Sequence, residues 1–253
     1  MRNIRAVSDV LGYALIFSLV ITTVAVVSVG GLGQLQEARN VEQLNNAERA
    51  FDLLKTNMDD LTKRGAPSRS TEIRLADAQL AVSDPITISF EAEDVDTPAN
   101  NFSESYEVWP IIYRSAHSDA TVVYAGGGLF RTEKQGGVVV EAPPFVAESG
   151  RIVVPLAHTR SRGGQSIGGG TARVRAVRSN VDLLASDTAG TYDQVSLNVS
   201  SPRATLWHRA LSRYDAFDCD LDESTTPNRA DCRVSDPDRL HISLVKVDLE
   251  LSS

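Results

Sequence analysis

The chain has 253 residues, 42% of them apolar and 23% charged, which is long enough for a real core and too apolar for disorder. Net charge is -8, and of 25 basic residues only Lys55, Lys63, Lys134 and Lys246 are lysines. Such an acid-rich, lysine-poor balance suits very high salt, or reflects a genome that favours arginine codons, and it excludes nucleic acid as a partner because no basic stripe is left to displace counterions from phosphates.

The chain opens on MRNIRAVSDVLGYALIFSLVITTVAVVSVGGLG, and from Val10 to Leu32 there is no charged residue. Those 23 residues reach roughly 35 Å as a helix, against a hydrocarbon core of about 30 Å. A secretory apolar region is only about 7 to 15 residues and is followed by a small-residue cleavage site, which is missing here. The run is therefore expected to be a transmembrane helix over 7–33, behind a polar leader of residues 1–6. Arg2 and Arg5 precede it, while Glu37, Arg39 and Glu42 follow, so the N-terminus faces the cytoplasm and the rest of the chain lies outside. Asp9 falls just inside the apolar run, where an acid can remain at headgroup level.

Residues 34–64 continue as a helix pattern without proline. Leu44, Ala47, Phe51, Leu54, Met58 and Leu61 recur at three and four residues, tracing one apolar stripe on an amphipathic helix. Lys63 and Arg64 before Gly65 and Pro67 mark its stop, and the glycines between Gly30 and Gly33 are a natural bend between the two helical parts.

From Thr71 the pattern changes to short β-rich runs separated by Gly, Pro, Asp and Ser, among them ITISFEAE, ATVVYA, RIVVPLA, TARVRAVRS and LHISLVKVDLEL. Val174 and Ala176 alternate with Arg173 and Arg175, and Ile242 and Leu244 with His241 and Ser243, so these strands have one wet face. Gly126–Gly128 and Gly168–Gly170 read as turns. One short helix interrupts, with Ser201 as N-cap, Pro202 at its first position, and Leu206, Trp207, Ala210, Leu211 and Tyr214 on one face. The expected fold is α+β: the long N-terminal helix, then an extracellular antiparallel sandwich or rolled sheet over 71–253 carrying one short helix, with Trp109 and Trp207 as core anchors.

Cys219 and Cys232 bracket the acid-rich stretch CDLDESTTPNRADC. On the outer side of a membrane a disulfide is favoured over a pair of metal-binding thiols, since no histidine lies nearby. The acids in that stretch lack the EF-hand spacing and its glycine, so they read as a solvated loop. Two N-x-S triplets, at Asn101 and Asn198, are glycosylation candidates on an outward-facing domain. His117, His158, His208 and His241 are scattered, neither Gly-Gly-Gly run precedes a helix with Lys-Ser/Thr, and there is no H-E-x-x-H or G-x-S-x-G. No enzyme activity, metal or cofactor is expected.

Arg5-Ala6 followed by Val7-Ser8-Asp9-Val10-Leu11-Gly12 and a long apolar run resembles the N-terminus of archaeal type IV pilin-like proteins with class III signals, over about the first 60 residues. The whole chain, including NNAERAFDLL, GAPSR and SPRATLWHRA, looks like a haloarchaeal pilin-like family with no known activity. The resemblance implies cleavage between Ala6 and Val7 by a prepilin peptidase on the cytoplasmic side. It also implies a mature helix stored in membrane lipid and passed to a bundle of other pilin-like subunits. Asp9, where familiar haloarchaeal pilins have proline, is then a candidate to pair with the α-amino group of a neighbouring Val7 and set axial register. Without processing, the same chain would be a permanently anchored surface domain that binds something on the cell envelope.

Overall fold

The computed structural model describes residues 4–134, 136–148, 150–161, 165–188 and 190–253, with the side chains of 4–9 and 29–33 outside the described set. In chain order come α1 (Ile4–Thr62), β1 (Ser68–Arg74), β2 (Ala78–Val82), β3 (Ile86–Glu93), a single 3-10 turn (Pro98–Asn100), β4 (Phe102–Val108), β5 (Ile111–Ser115), β6 (Thr121–Ala125), β7 (Gly128–Glu133) and β8 (Gly136–Glu141). They are followed by β9 (Val146–Glu148), β10 (Arg151–Arg160), β11 (Gln165–Gly168), β12 (Thr171–Asp187), β13 (Gln194–Ser200), α2 (Ala204–Leu211), β14 (Asp218–Asp222), β15 (Arg229–Ser235) and β16 (Arg239–Ser252). The fold is α+β, as the alternating patterns require.

Two compact units share the chain, Met1–Asn45 and Asn46–Ser253. Their boundary falls inside α1 rather than at the glycines: helical backbone continues through Gly30, Gly31 and Gly33, and the last turns of the helix, from Asn46, belong to the β-rich unit. The reason is the apolar stripe. Ala47, Phe51, Leu54, Met58 and Leu61 are all buried, while Leu44 is only half-buried and falls in the first unit.

The second unit contains three sheets, ordered β1-β12-β16-β10-β9, β11-β2-β5-β6-β7-β8 and β14-β15-β13-β3-β4. Among the described residues all strand pairs are antiparallel except β10 with β16, which run parallel from Arg151 opposite Arg239 to Arg160 opposite Asp248. Parallel neighbours need a long crossover, and the chain between these two strands supplies it with β11 to β15. The six-stranded sheet has two buried faces. One carries Leu80, Tyr113, Val122 and Tyr124 on the side of the α1 stripe; the other carries Ile112, Val123, Phe130 and Val139 into the main core with β3, β13, β15 and α2. A sheet covered on both faces needs near-continuous apolar strands, which is why TVVYA shows no alternation.

Gly126 and Gly127 form the two-residue turn joining β6 to β7, with φ of +53° and +91°, a left-handed pair that glycine adopts without steric cost. Gly169 and Gly170 turn β11 into β12. The short helix starts later than its sequence signals indicate. Arg203 is at the N-cap without a side-chain cap, while the Ser201 hydroxyl accepts from the Arg203 backbone N–H at 3.1 Å and the Ser201 carbonyl accepts from Ala204 N–H at 3.0 Å. Ser201 and Pro202 thus build a turn ahead of the helix. Trp207 is a core anchor, its ring centroid 5.1 Å from that of Phe130, but Trp109 is only half-buried, because β4 ends at Val108 and Trp109-Pro110 form the corner before β5.

Candidate functional site

The apolar segment is bare. Val10–Ser28 is long and apolar enough to cross a membrane, and none of its residues is buried among the described residues. Each Leu, Ile, Val or Phe there forgoes up to about 1.5–3 kcal/mol of burial, and the eleven of them together exceed the roughly 5–15 kcal/mol that holds a whole domain together, so water is a poor environment for this segment. Its two threonine hydroxyls are satisfied within the helix: Thr22 donates to the Ser18 carbonyl at 2.7 Å, and Thr23 donates to the Leu19 carbonyl. Tyr13 and Phe17, four residues apart, stack with ring centroids at 6.1 Å. Ala6, Val7 and Asp9 fall within the helical backbone of α1, but their side chains lie outside the described residues.

Where α1 enters the β-rich unit, ion pairs flank the buried stripe. Lys55, almost fully buried, places Nζ 2.6 Å from Oε2 of Glu141 on β8 and 3.7 Å from Oδ2 of Asp59 one turn on. Arg131 on β7 donates from Nη1 to Glu48 at 2.8 Å, and Asn57 donates from Nδ2 to the Thr71 hydroxyl of β1 at 2.8 Å. Asp60 accepts from Arg64 at 2.5 Å and from Arg69 of β1 at 3.0 Å, which holds its carboxyl below the usual range. Asp52 moves the other way: partial burial, then the nearby Glu141 and Glu48 carboxylates, push it up despite Lys55. These pairs join residues up to 86 positions apart, between Lys55 and Glu141. No local pattern in the sequence announces them, and they seat the helix in one register.

Cys219 and Cys232 form a disulfide across directly paired positions of β14 and β15, with Cα atoms 4.1 Å apart. The acidic stretch is thus a hairpin rather than a loop, and its acids hid two strands, of which β15 buries Ala230, Cys232 and Val234. Its charges are used locally: Arg229 pairs with Asp231 at 2.6 Å and Asp222 at 3.5 Å, and Asp222 also accepts from the Ser224 N–H and hydroxyl, which lowers its pKa. No cluster of three or more potential metal ligands occurs among the described residues.

Asn101 is exposed at the end of the 3-10 turn, where its Oδ1 accepts from Asp94 N–H at 2.7 Å. Asn198 sits in β13, the central strand between β3 and β15, opposite Ser89 and Asp231. The histidines remain apart. His117 is exposed near Asp77, and His241 is exposed on β16. His208 lies within hydrogen-bond distance of the Cys219 carbonyl, at 3.1 Å. His158 is buried against the Tyr106 ring with its Nε2 3.1 Å from the Glu107 carbonyl, and burial pushes its pKa down.

A profile of one protein family, described as a family of unknown function (DUF7289), matches residues 5–250. No curated protein and no solved structure matches the chain.

Proposed function

We propose that this chain, which belongs to the DUF7289 family, is a pilin-like structural subunit or minor pilin of an archaeal type IV pilus-like assembly, held in the membrane by its N-terminal helix. One observation carries the reading. A single helix, Ile4–Thr62, is apolar and uncovered over Val10–Ser28 and is built into a folded core by Phe51, Leu54, Met58 and Leu61. That is the form of a subunit whose helix exchanges lipid for the helices of its neighbours. Gly12 supports the exchange, since beyond the local helix backbone no atom of the described residues lies within 4 Å of the position a Cβ would take there, and the missing side chain leaves a notch for close helix approach. The β-rich unit then lies outside the cell, where its disulfide is stable and Asn101 is the better placed glycan acceptor, because Asn198 is enclosed by two neighbouring strands.

Mass spectrometry of the N-terminus of membrane-extracted protein tests the reading. A mature chain beginning at Val7 supports a processed subunit. A start at Met1 or Arg2 rejects it and leaves a permanently anchored envelope-binding domain. Asp9→Ala is expected to insert normally yet fail to enter a filament; normal incorporation removes Asp9 from any register role.

A further inference from the structure

Several sheltered basic side chains in this protein are matched by a carboxylate: Lys55 has Glu141, Arg131 has Glu48, and Arg229 has Asp231. Arg203 breaks that pattern. It is half-buried at the start of α2, and its Nε is out of solvent without a hydrogen-bond partner, as are those of Arg131 and Arg229, but unlike theirs its guanidinium takes part in no ion pair among the described residues. Its charged neighbour is another cation, Arg114 of β5, itself without an acidic partner among the described residues. Burial first, and then Arg114, push the Arg203 pKa down. A sheltered cation facing a second cation is retained only when something else offsets its lost hydration.

The strand register shows what lies between them. Arg114 is opposite Thr121, Thr121 is opposite Thr132 with the two hydroxyls in contact, and Thr132 is opposite Gly137. Paired residues project from the same face of a sheet, so this row shares one face. A Cβ on Gly137 would come within 2.8 Å of Leu206 Cδ1, so that face looks toward α2. Between the row and the start of α2 is a hollow of about 360 Å³ lined by Thr132, Gly137, Arg203, Thr205 and Arg209, with Glu133 at its wall already engaged by Arg131 at 3.4 Å. Arg209 is fixed there by donating from Nη1 to the Gly137 carbonyl at 2.8 Å.

We propose that this hollow is a binding site for a small molecule bearing a carboxylate, sulfate or phosphate group, no larger than a single sugar or amino acid, with its oxyanion on Arg203 and the Thr132 and Thr205 hydroxyls as donors. The volume lies at the low end of the range for small-molecule sites, about 300–1,000 Å³. Guanidinium supplies paired donors matched to such oxygens, and the positive end of α2 adds to the same field. Arg114 reinforces the site from the sheet, and Arg209 guards its edge. The site is independent of the membrane helix and of any filament.

The test uses the full chain in detergent micelles, with ionic strength held constant by chloride while sulfate, phosphate or acetate is titrated. At least one of the three is expected to raise the melting temperature along a saturating curve and to shift the Arg203 Nε–H resonance. Arg203→Met should melt no lower than the parent in chloride alone and should lose the saturating response. Arg114→Met should weaken the midpoint about tenfold, and it carries the decision if Arg203→Met does not fold. Three results overturn the proposal: non-saturating responses to all three anions, equal responses in parent and Arg203→Met, or an unchanged midpoint in Arg114→Met.

Discussion

Phe51→Ala tests whether the end of α1 is part of the fold or only attached to it. Phe51 is 0% exposed, and its neighbour Leu53 on the same helix is 54% exposed. Truncating a fully buried phenylalanine costs about 3–5 kcal/mol through lost transfer energy and the cavity left behind, whereas truncating an exposed leucine stays within about 0.5 kcal/mol. For a unit of this size each kcal/mol lowers the melting temperature by about 2–4 °C, so Phe51→Ala should lower it by about 6–20 °C. Trp109 and Trp207 both belong to the β-rich unit, so tryptophan fluorescence during thermal unfolding of the detergent-solubilised chain reports that unit and not the membrane helix. Equal shifts for Phe51→Ala and Leu53→Ala, or no shift for Phe51→Ala, would refute the view that the stripe is core.

Other substitutions probe the remaining contacts. Cys219→Ser opens a 13-residue separation and should cost about 3 kcal/mol in the chain-entropy account, read as an earlier melt matched by the parent under reductant. Because the pKa of Asp52 is raised in the folded chain, its ionised form is disfavoured there, and stability falls as pH rises from 3.8 through the folded value. Asp52→Asn should therefore raise the melting temperature at pH 7, with the gain vanishing below pH 3.8; an equal gain at both pH values would point to packing instead. Gly137→Ala would set a Cβ 2.7 Å from the Arg131 carbonyl oxygen and 2.8 Å from Leu206, a backbone clash that side-chain motion cannot relieve. Overpacking of that kind costs about 1–3 kcal/mol, measurable as a lower denaturant midpoint.

Features that depend on near neighbours were legible in the sequence. The stripe from Ala47 to Leu61, the alternation of Arg173, Val174, Arg175 and Ala176, and the glycine turn at Gly126 follow from helical period, pleat and φ, and the structure reproduces each. Features set by distant partners were not. β14 and β15 are rich in Asp and Arg, so their composition reads as loop, and only pairing with β13 and burial of Ala230 and Cys232 make them strands. Nothing near Arg203 in the chain indicates that β5 brings Arg114 to it. The start of α2 is a milder case: Ser201 does accept a backbone hydrogen bond, but it does so two residues ahead of the N-cap.

The position of β16 bears on how the protein is made. It is the last strand in sequence, yet it lies between β12 and β10 near the middle of its sheet, and β12 in turn holds β1. Strand β1 thus joins a sheet whose middle strand comes more than 160 residues further along, from Arg74 to Arg239. Closing such distant pairs is slow compared with forming a helix. The N-terminal helix, whose backbone hydrogen bonds are all local, has time to form while the rest of the chain is still open. Helix formation thus leads and sheet completion follows, because the sheet of β1, β12, β16, β10 and β9 closes only once the last strand of the chain is available.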